Sequence, residues 1–136
     1  GVAQLEKIDE HLERRRRIAA LYHSRLDSVQ DLLRLPFTAP DVRHAFWMYT
    51  VLCPDGVDRA AIADALLRAG IETRPAFYPL HLMPPYREPD GTYPNAEAIG
   101  RRGLSLPMHG KLTDDDVDYI CNEVRSVIHN TVAVGG

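Results

Sequence analysis

Between residues 74 and 86 the chain sets an arginine, two phenols and an imidazole on a backbone stiffened by proline. The run is Arg74-Pro75-Ala76-Phe77-Tyr78-Pro79-Leu80-His81-Leu82-Met83-Pro84-Pro85-Tyr86. A fixed positive charge beside hydroxyls and a ring nitrogen suits ligand recognition more than bond-making, and prolines hold such groups in place at little entropic cost. The same residues also fit a surface loop that Phe77, Leu80, Leu82 and Met83 pin to the core. Composition alone does not separate the two.

Other chemistries find less support. Six histidines are present, at 11, 23, 44, 81, 109 and 129, yet none pairs at i, i+4 with another or with a cysteine. Asp114, Asp115 and Asp116 stand where a helix begins, and capping explains them better than metal ligation. No metal site is expected. Ser105 lies in Leu-Ser-Leu-Pro without the glycine elbow of a nucleophilic serine. Gly100 and Gly103 flank two arginines with no Lys-Ser/Thr after them, so no phosphate loop is present. The run Arg14-Arg15-Arg16-Arg17 suggests phosphate at first sight. On a helix, however, four successive side chains point about 100° apart. With Glu6, Asp9, Glu10 and Glu13 nearby, a solvated helix face is expected, and no nucleic acid partner.

A chain of 136 residues, 45% hydrophobic and 26% charged with formal net charge −3, is ordinary for one globular domain. No apolar run reaches the roughly 18–20 residues of a membrane span, and residues 1–13 resemble no secretory signal. Cys53 and Cys121 each sit in an apolar stretch, which favours buried free thiols and a reducing, cytoplasmic setting.

The elements that must carry the 74–86 segment follow from periodicity. Leu5, Ile8, Leu12, Ala19, Tyr22 and Leu26 mark an amphipathic helix over about 3–28. Residues 44–53, aromatic and β-branched, read as a strand covered on both faces. Asp58 caps a helix that Gly70 closes. Residues 71–78 read as a second strand, confined to an edge by Pro75. Five prolines between 79 and 94 make an irregular segment. A short helix (96–102), a brief strand (104–106) and a last helix (about 114–129), opened by Thr113, complete the chain, with a tail expected to fray. The order implies a small α+β domain with a sheet of about three strands. The first helix is too long for so small a sheet, and its spare surface is expected to meet another domain or subunit.

Three blocks then carry a resemblance. Gly1-Val2-Ala3-Gln4-Leu5-Glu6-Lys7-Ile8-Asp9 with the arginine run and Tyr22 is the first. Gly70-Ile71-Glu72-Thr73-Arg74-Pro75 running into Tyr78-Pro79-Leu80-His81 and Pro84-Pro85-Tyr86 is the second. Leu104-Ser105-Leu106-Pro107-Met108-His109, then Leu112-Thr113-Asp114, is the third. In order and spacing they resemble the small C-terminal domain of DegT/StrS-type sugar-nucleotide aminotransferases, the perosamine-synthase branch in particular. The resemblance implies a single domain over 1–136 with a mostly antiparallel sheet, as in the C-terminal domain of the aspartate-aminotransferase fold. It implies a dimeric, PLP-dependent enzyme moving an amino group from glutamate to a keto sugar nucleotide, and it turns Arg74, Tyr78, His81 and Tyr86 toward the sugar-nucleotide pocket.

In that family a large domain supplies the Schiff-base lysine and the cofactor contacts. Here the lysines are Lys7, on a charged helix, and Lys111, in a loop. Neither offers the desolvated, partnered setting that a Schiff base needs. No catalytic residue is therefore carried over, and the chain alone is expected to be inactive and to bind no PLP. Its expected partners are the missing large domain and a second copy of itself, with self-association through the apolar first helix and the Phe77–Tyr86 loop. The alternative is a stand-alone binding or regulatory module that kept the fold and lost the chemistry.

Overall fold

A computed structural model describes residues 2–134. Its sheet has three strands, β1 (Tyr49–Leu52), β2 (Arg74–Pro75) and β3 (Gly103–Leu106), in the spatial order β1-β3-β2 with both pairings antiparallel. The α+β class and the three-stranded sheet are as expected. Tyr49 pairs with Leu106 and Val51 with Leu104, and all four are buried. Period-two alternation puts Thr50, Ser105 and Gly103 on the opposite face, where the Thr50 and Ser105 hydroxyls meet at 2.8 Å.

Two strands are shorter than their sequences suggest. The stretch expected over 44–53 pairs only from Tyr49, because Phe46 takes φ +47° and turns the chain just before it. The stretch expected over 71–78 pairs only at Arg74 and Pro75, and Ile71 turns into the core after Gly70 instead. The edge position that Pro75 demands is the one β2 occupies.

The helix expected as one span over 3–28 is divided: α1 (Val2–Leu5), a turn at Glu6–Lys7, then α2 (Ile8–Leu26), closed by a 3₁₀ turn at Asp27–Val29. Core contact begins only at Ile18, and Ile18, Ala19, Tyr22 and Leu26 are buried while Val2, Leu5 and Ile8 are exposed. Before Ile18, then, little tertiary packing holds the helix continuous. Helix α3 (Arg59–Arg68) begins where Asp58 accepts a bond from the Ala60 amide at 2.8 Å and ends at Gly70, φ +78°. Helix α4 (Pro94–Arg102) runs directly into β3.

Helix α5 (Asp114–Val134) packs on α2 and α3 with Val117, Ile120, Cys121, Val124 and Ile128 buried. Its cap is reciprocal. Thr113 Oγ1 accepts from the Asp116 amide at 3.1 Å, and the Asp116 carboxylate accepts from the Thr113 amide at 2.8 Å. The Thr113 amide first, and then the Thr113 hydroxyl donating to the same carboxylate oxygen at 2.8 Å, hold the Asp116 carboxyl below its usual range. The expected end near 129 is corrected: the helix continues to Val134. The buried Ile128 anchors it, and the Thr131 hydroxyl bonds back to the Val127 carbonyl at 2.7 Å. Gly135 and Gly136 lie outside the described residues.

The core seam between α2 and β1 is aromatic. Tyr22 and Tyr49 stack with centroids 4.9 Å apart; the Tyr22 hydroxyl donates to the Pro107 carbonyl and Tyr49 meets His23 Nδ1. Both cysteines are buried and free, and burial pushes Cys53 up to about 11 and Cys121 to about 12. Such thiols are inert.

Candidate substrate-facing loop and groove

Leaving β2 at the sheet edge, the chain passes through Ala76, Phe77 and Tyr78 and folds into two 3₁₀ turns, Leu80–Leu82 and Pro84–Tyr86. Proline sets φ at the start of each turn, so the loop keeps a defined course without strand or α-helix. Three of the four residues singled out by sequence are displayed outward. Arg74 is exposed with Glu72 3.8 Å away, and Tyr78 and Tyr86 are each more than half exposed. His81 turns inward. Its Nε2 lies 3.1 Å from Glu97 Oε1 on α4, and the Tyr93 ring packs at 4.8 Å. The same Glu97 oxygen accepts from the Gly91 amide at 2.8 Å. The amide bond first, and His81 second, hold the Glu97 carboxyl below its usual range.

Beside Arg74 runs a groove of about 750 Å³, with Trp47 and Phe77 stacked across its rim at 6.0 Å and Pro107, His109 and Tyr119 along its length. The arginine run fixes this rim. Arg15 donates to the Trp47 carbonyl at 2.9 Å and Arg16 to the His44 carbonyl at 3.1 Å, while Arg17 holds Asp114 through both carboxylate oxygens. The expected solvated face is corrected accordingly: three of the four arginines tie the 44–47 segment and the start of α5 to α2, and Arg14 is exposed.

Sequence reasoning missed Glu97 and Trp47. Glu97 stands in the first turn of α4, where an acidic residue ordinarily signals only the helix dipole. Trp47 is in a run whose composition reads as strand. Exposure of the apolar first helix and of Phe77, Leu80 and Tyr86 is as expected.

Lys7 and Lys111 are exposed on turns, and neither lines the groove. Among the described residues, no three His, Cys, Asp or Glu side chains could hold a metal, and no helix is long and apolar enough to cross a membrane.

An open three-stranded antiparallel sheet with packed helices and a proline-stiffened edge loop defines a small α+β domain of the aminotransferase type. Solved aminotransferases share it. TlmJ from Streptoalloteichus hindustanus is 34% identical with a TM-score of 0.85, over 96% of this chain and 35% of that one. The putative sugar aminotransferase Spr1654 from Streptococcus pneumoniae, in its PMP form, is 26% identical with a TM-score of 0.89, over 98% of this chain and 35% of that one.

The chain belongs to the DegT/DnrJ/EryC1/StrS aminotransferase family, whose sequence model matches residues 1–125. The GDP-perosamine synthase of Caulobacter vibrioides is 40% identical over 131 residues, 94% of this chain and 35% of that protein. Its counterpart in Escherichia coli O157:H7 is 38% identical over 125 residues, 92% of this chain and 34% of that protein. The chain thus spans about a third of the length of these relatives.

Proposed function

We propose that this chain is the C-terminal domain of a cytoplasmic, PLP-dependent aminotransferase that moves an amino group, with glutamate as donor, to a keto sugar nucleotide. PLP supplies the electron sink for such a transfer. Its lysine and phosphate contacts belong to a large domain outside these residues, in the same polypeptide or a separate one. Arg74, Tyr78, His81 and Tyr86 serve the sugar-nucleotide pocket: Arg74 offers a fixed charge to the diphosphate, the two phenols offer hydrogen bonds, and His81 acts from beneath the loop. The observation that carries the reading is the outward display of Arg74, Tyr78 and Tyr86 on a loop held by proline and Glu97. The names of the relatives, GDP-perosamine synthases among them, agree with it. Exposed Val2, Leu5 and Ile8, together with the Trp47–Phe77 rim, are the apolar surface left for the large domain and for a second copy.

The test is a PLP titration of the chain alone, followed by borohydride reduction and mass spectrometry. No stoichiometric absorbance band and no single modified lysine are expected. An adduct at Lys7 or Lys111 would overturn the reading, and micromolar binding of a nucleotide sugar by the isolated chain would favour a stand-alone module.

A further inference from the structure

Helix α4 and the first residue of β3 meet the 76–91 segment at three places, each without slack. A Cβ placed on Gly100 would come 2.7 Å from Pro79 Cδ, and one on Gly103 would come 2.4 Å from the Ala76 Cβ. Only hydrogen fits at either point, so the backbone of α4 and of β3 lies directly on the loop. The third contact is polar. Glu97 Oε1 reaches His81 Nε2 at 3.1 Å and the Gly91 amide at 2.8 Å. The His81 and Glu97 side chains are 8% and 12% exposed, so the pair is shielded from water that would otherwise compete for it. A second tie closes the loop on itself, the Glu88 amide donating to the His81 carbonyl at 2.9 Å.

One carboxylate thus joins both ends of the segment that carries Tyr86, while Pro79, clamped by Gly100, fixes the chain next to Tyr78. We propose that Glu97 is a positioning residue: by holding His81 and Gly91 it sets how the loop presents Tyr78 and Tyr86 to the sugar nucleotide. The inference rests on the reading of that loop as substrate-binding. Glu97 touches no substrate in this scheme. It lowers the ordering that the loop must undergo when the nucleotide binds, so its loss falls on sugar-nucleotide affinity and not on the reaction with the amino donor.

The experiment uses the PLP-loaded holoenzyme, this chain together with its large domain. Glu97→Ala is expected to raise KM for the nucleotide sugar about tenfold, because the loop must then be ordered by the ligand itself. The half-reaction with glutamate is expected to stay unchanged. Glu97→Gln keeps an acceptor for the Gly91 amide and a hydrogen-bonding group for His81, and should restore most of the affinity. Hydrogen exchange in the same samples should show the Gly91 amide exchanging faster in Glu97→Ala but not in Glu97→Gln.

Should Glu97→Ala not fold, Gly100→Ala asks the same question. It adds a methyl against Pro79, favours the helix and leaves the Glu97 bonds in place, and it too should raise KM selectively. An unchanged KM in Glu97→Ala, or in Gly100→Ala where Glu97→Ala does not fold, or an equal fall in both half-reactions, would overturn the proposal, since a merely structural role predicts no split. Tyr78→Phe and Tyr86→Phe separate the two levels. If both leave KM unchanged, the substrate-binding reading fails and the positioning role with it. If they raise KM and Glu97→Ala does not, only the positioning role is lost.

Discussion

Helices α2 and α5 and the 76–94 loop are held together by opposite means. The helices meet through a continuous apolar seam in which Tyr22, Leu26, Val117, Cys121 and Ile128 are buried, so many small contacts share the work. The loop exposes Phe77, Tyr78, Leu80 and Tyr86 and depends on prolines, two glycine contacts and one carboxylate. A seam of dispersed contacts fails as a whole, whereas a loop on a few discrete ties opens locally while the rest stays folded. A surface that must receive a ligand is well served by the second arrangement, because its apolar side chains are free to face outward.

The contrast can be broken at its strong end first. Leu26→Ala removes a fully buried side chain from the seam and should cost about 2–5 kcal/mol, read as a lower denaturant midpoint for every probe at once. Selective loosening of the loop, with α5 unchanged, would contradict the picture. A smaller effect is expected from Thr113→Ala, which deletes half of the reciprocal cap. About 1 kcal/mol should be lost, with fraying of the first turn of α5 in hydrogen exchange and no change at Gly91.

Acid sharpens the comparison with the smallest global signal. The Glu97 carboxyl is held below its usual range, chiefly by the Gly91 amide and then by His81. Its contribution is therefore complete above the ordinary carboxyl pKa and is lost as pH falls through the lowered folded value. Protection of the Gly91 amide, corrected for intrinsic exchange, should decline in that window before protection in the middle of α5 does. Simultaneous loss at both sites would mean that the loop is part of the cooperative core.

What was legible in the sequence divides along the same line. The Asp58 cap, the Gly70 stop, the edge strand at Pro75 and the Thr113 cap are local signals, and each is where the residues say. The apolar stripes of α2 and α5 are likewise matters of period. The direction of His81 is not, because it depends on Glu97, sixteen positions away and on another element. The two strands were overestimated for a related reason. Aromatic and β-branched composition marks what can pair, but a left-handed Phe46 and an inward Ile71 decide where pairing begins and ends. The arginine run misled in the opposite sense: its acidic neighbours suggest a solvated face, while its actual acceptors are mostly backbone carbonyls that carry no signature in the sequence.

The stacked pair at the groove rim makes the molecule its own optical gauge. Trp47 is the single tryptophan of the chain, and it is 65% exposed beside Phe77 while Tyr22 and Tyr49 fill the interior. Its emission therefore reports the polarity at the mouth of the groove. Unfolding moves the indole from water to water and changes its colour little; a domain or subunit that covers the rim shifts it to the blue. Fluorescence on this protein is a docking signal, readable without any label, and a poor thermometer of its core.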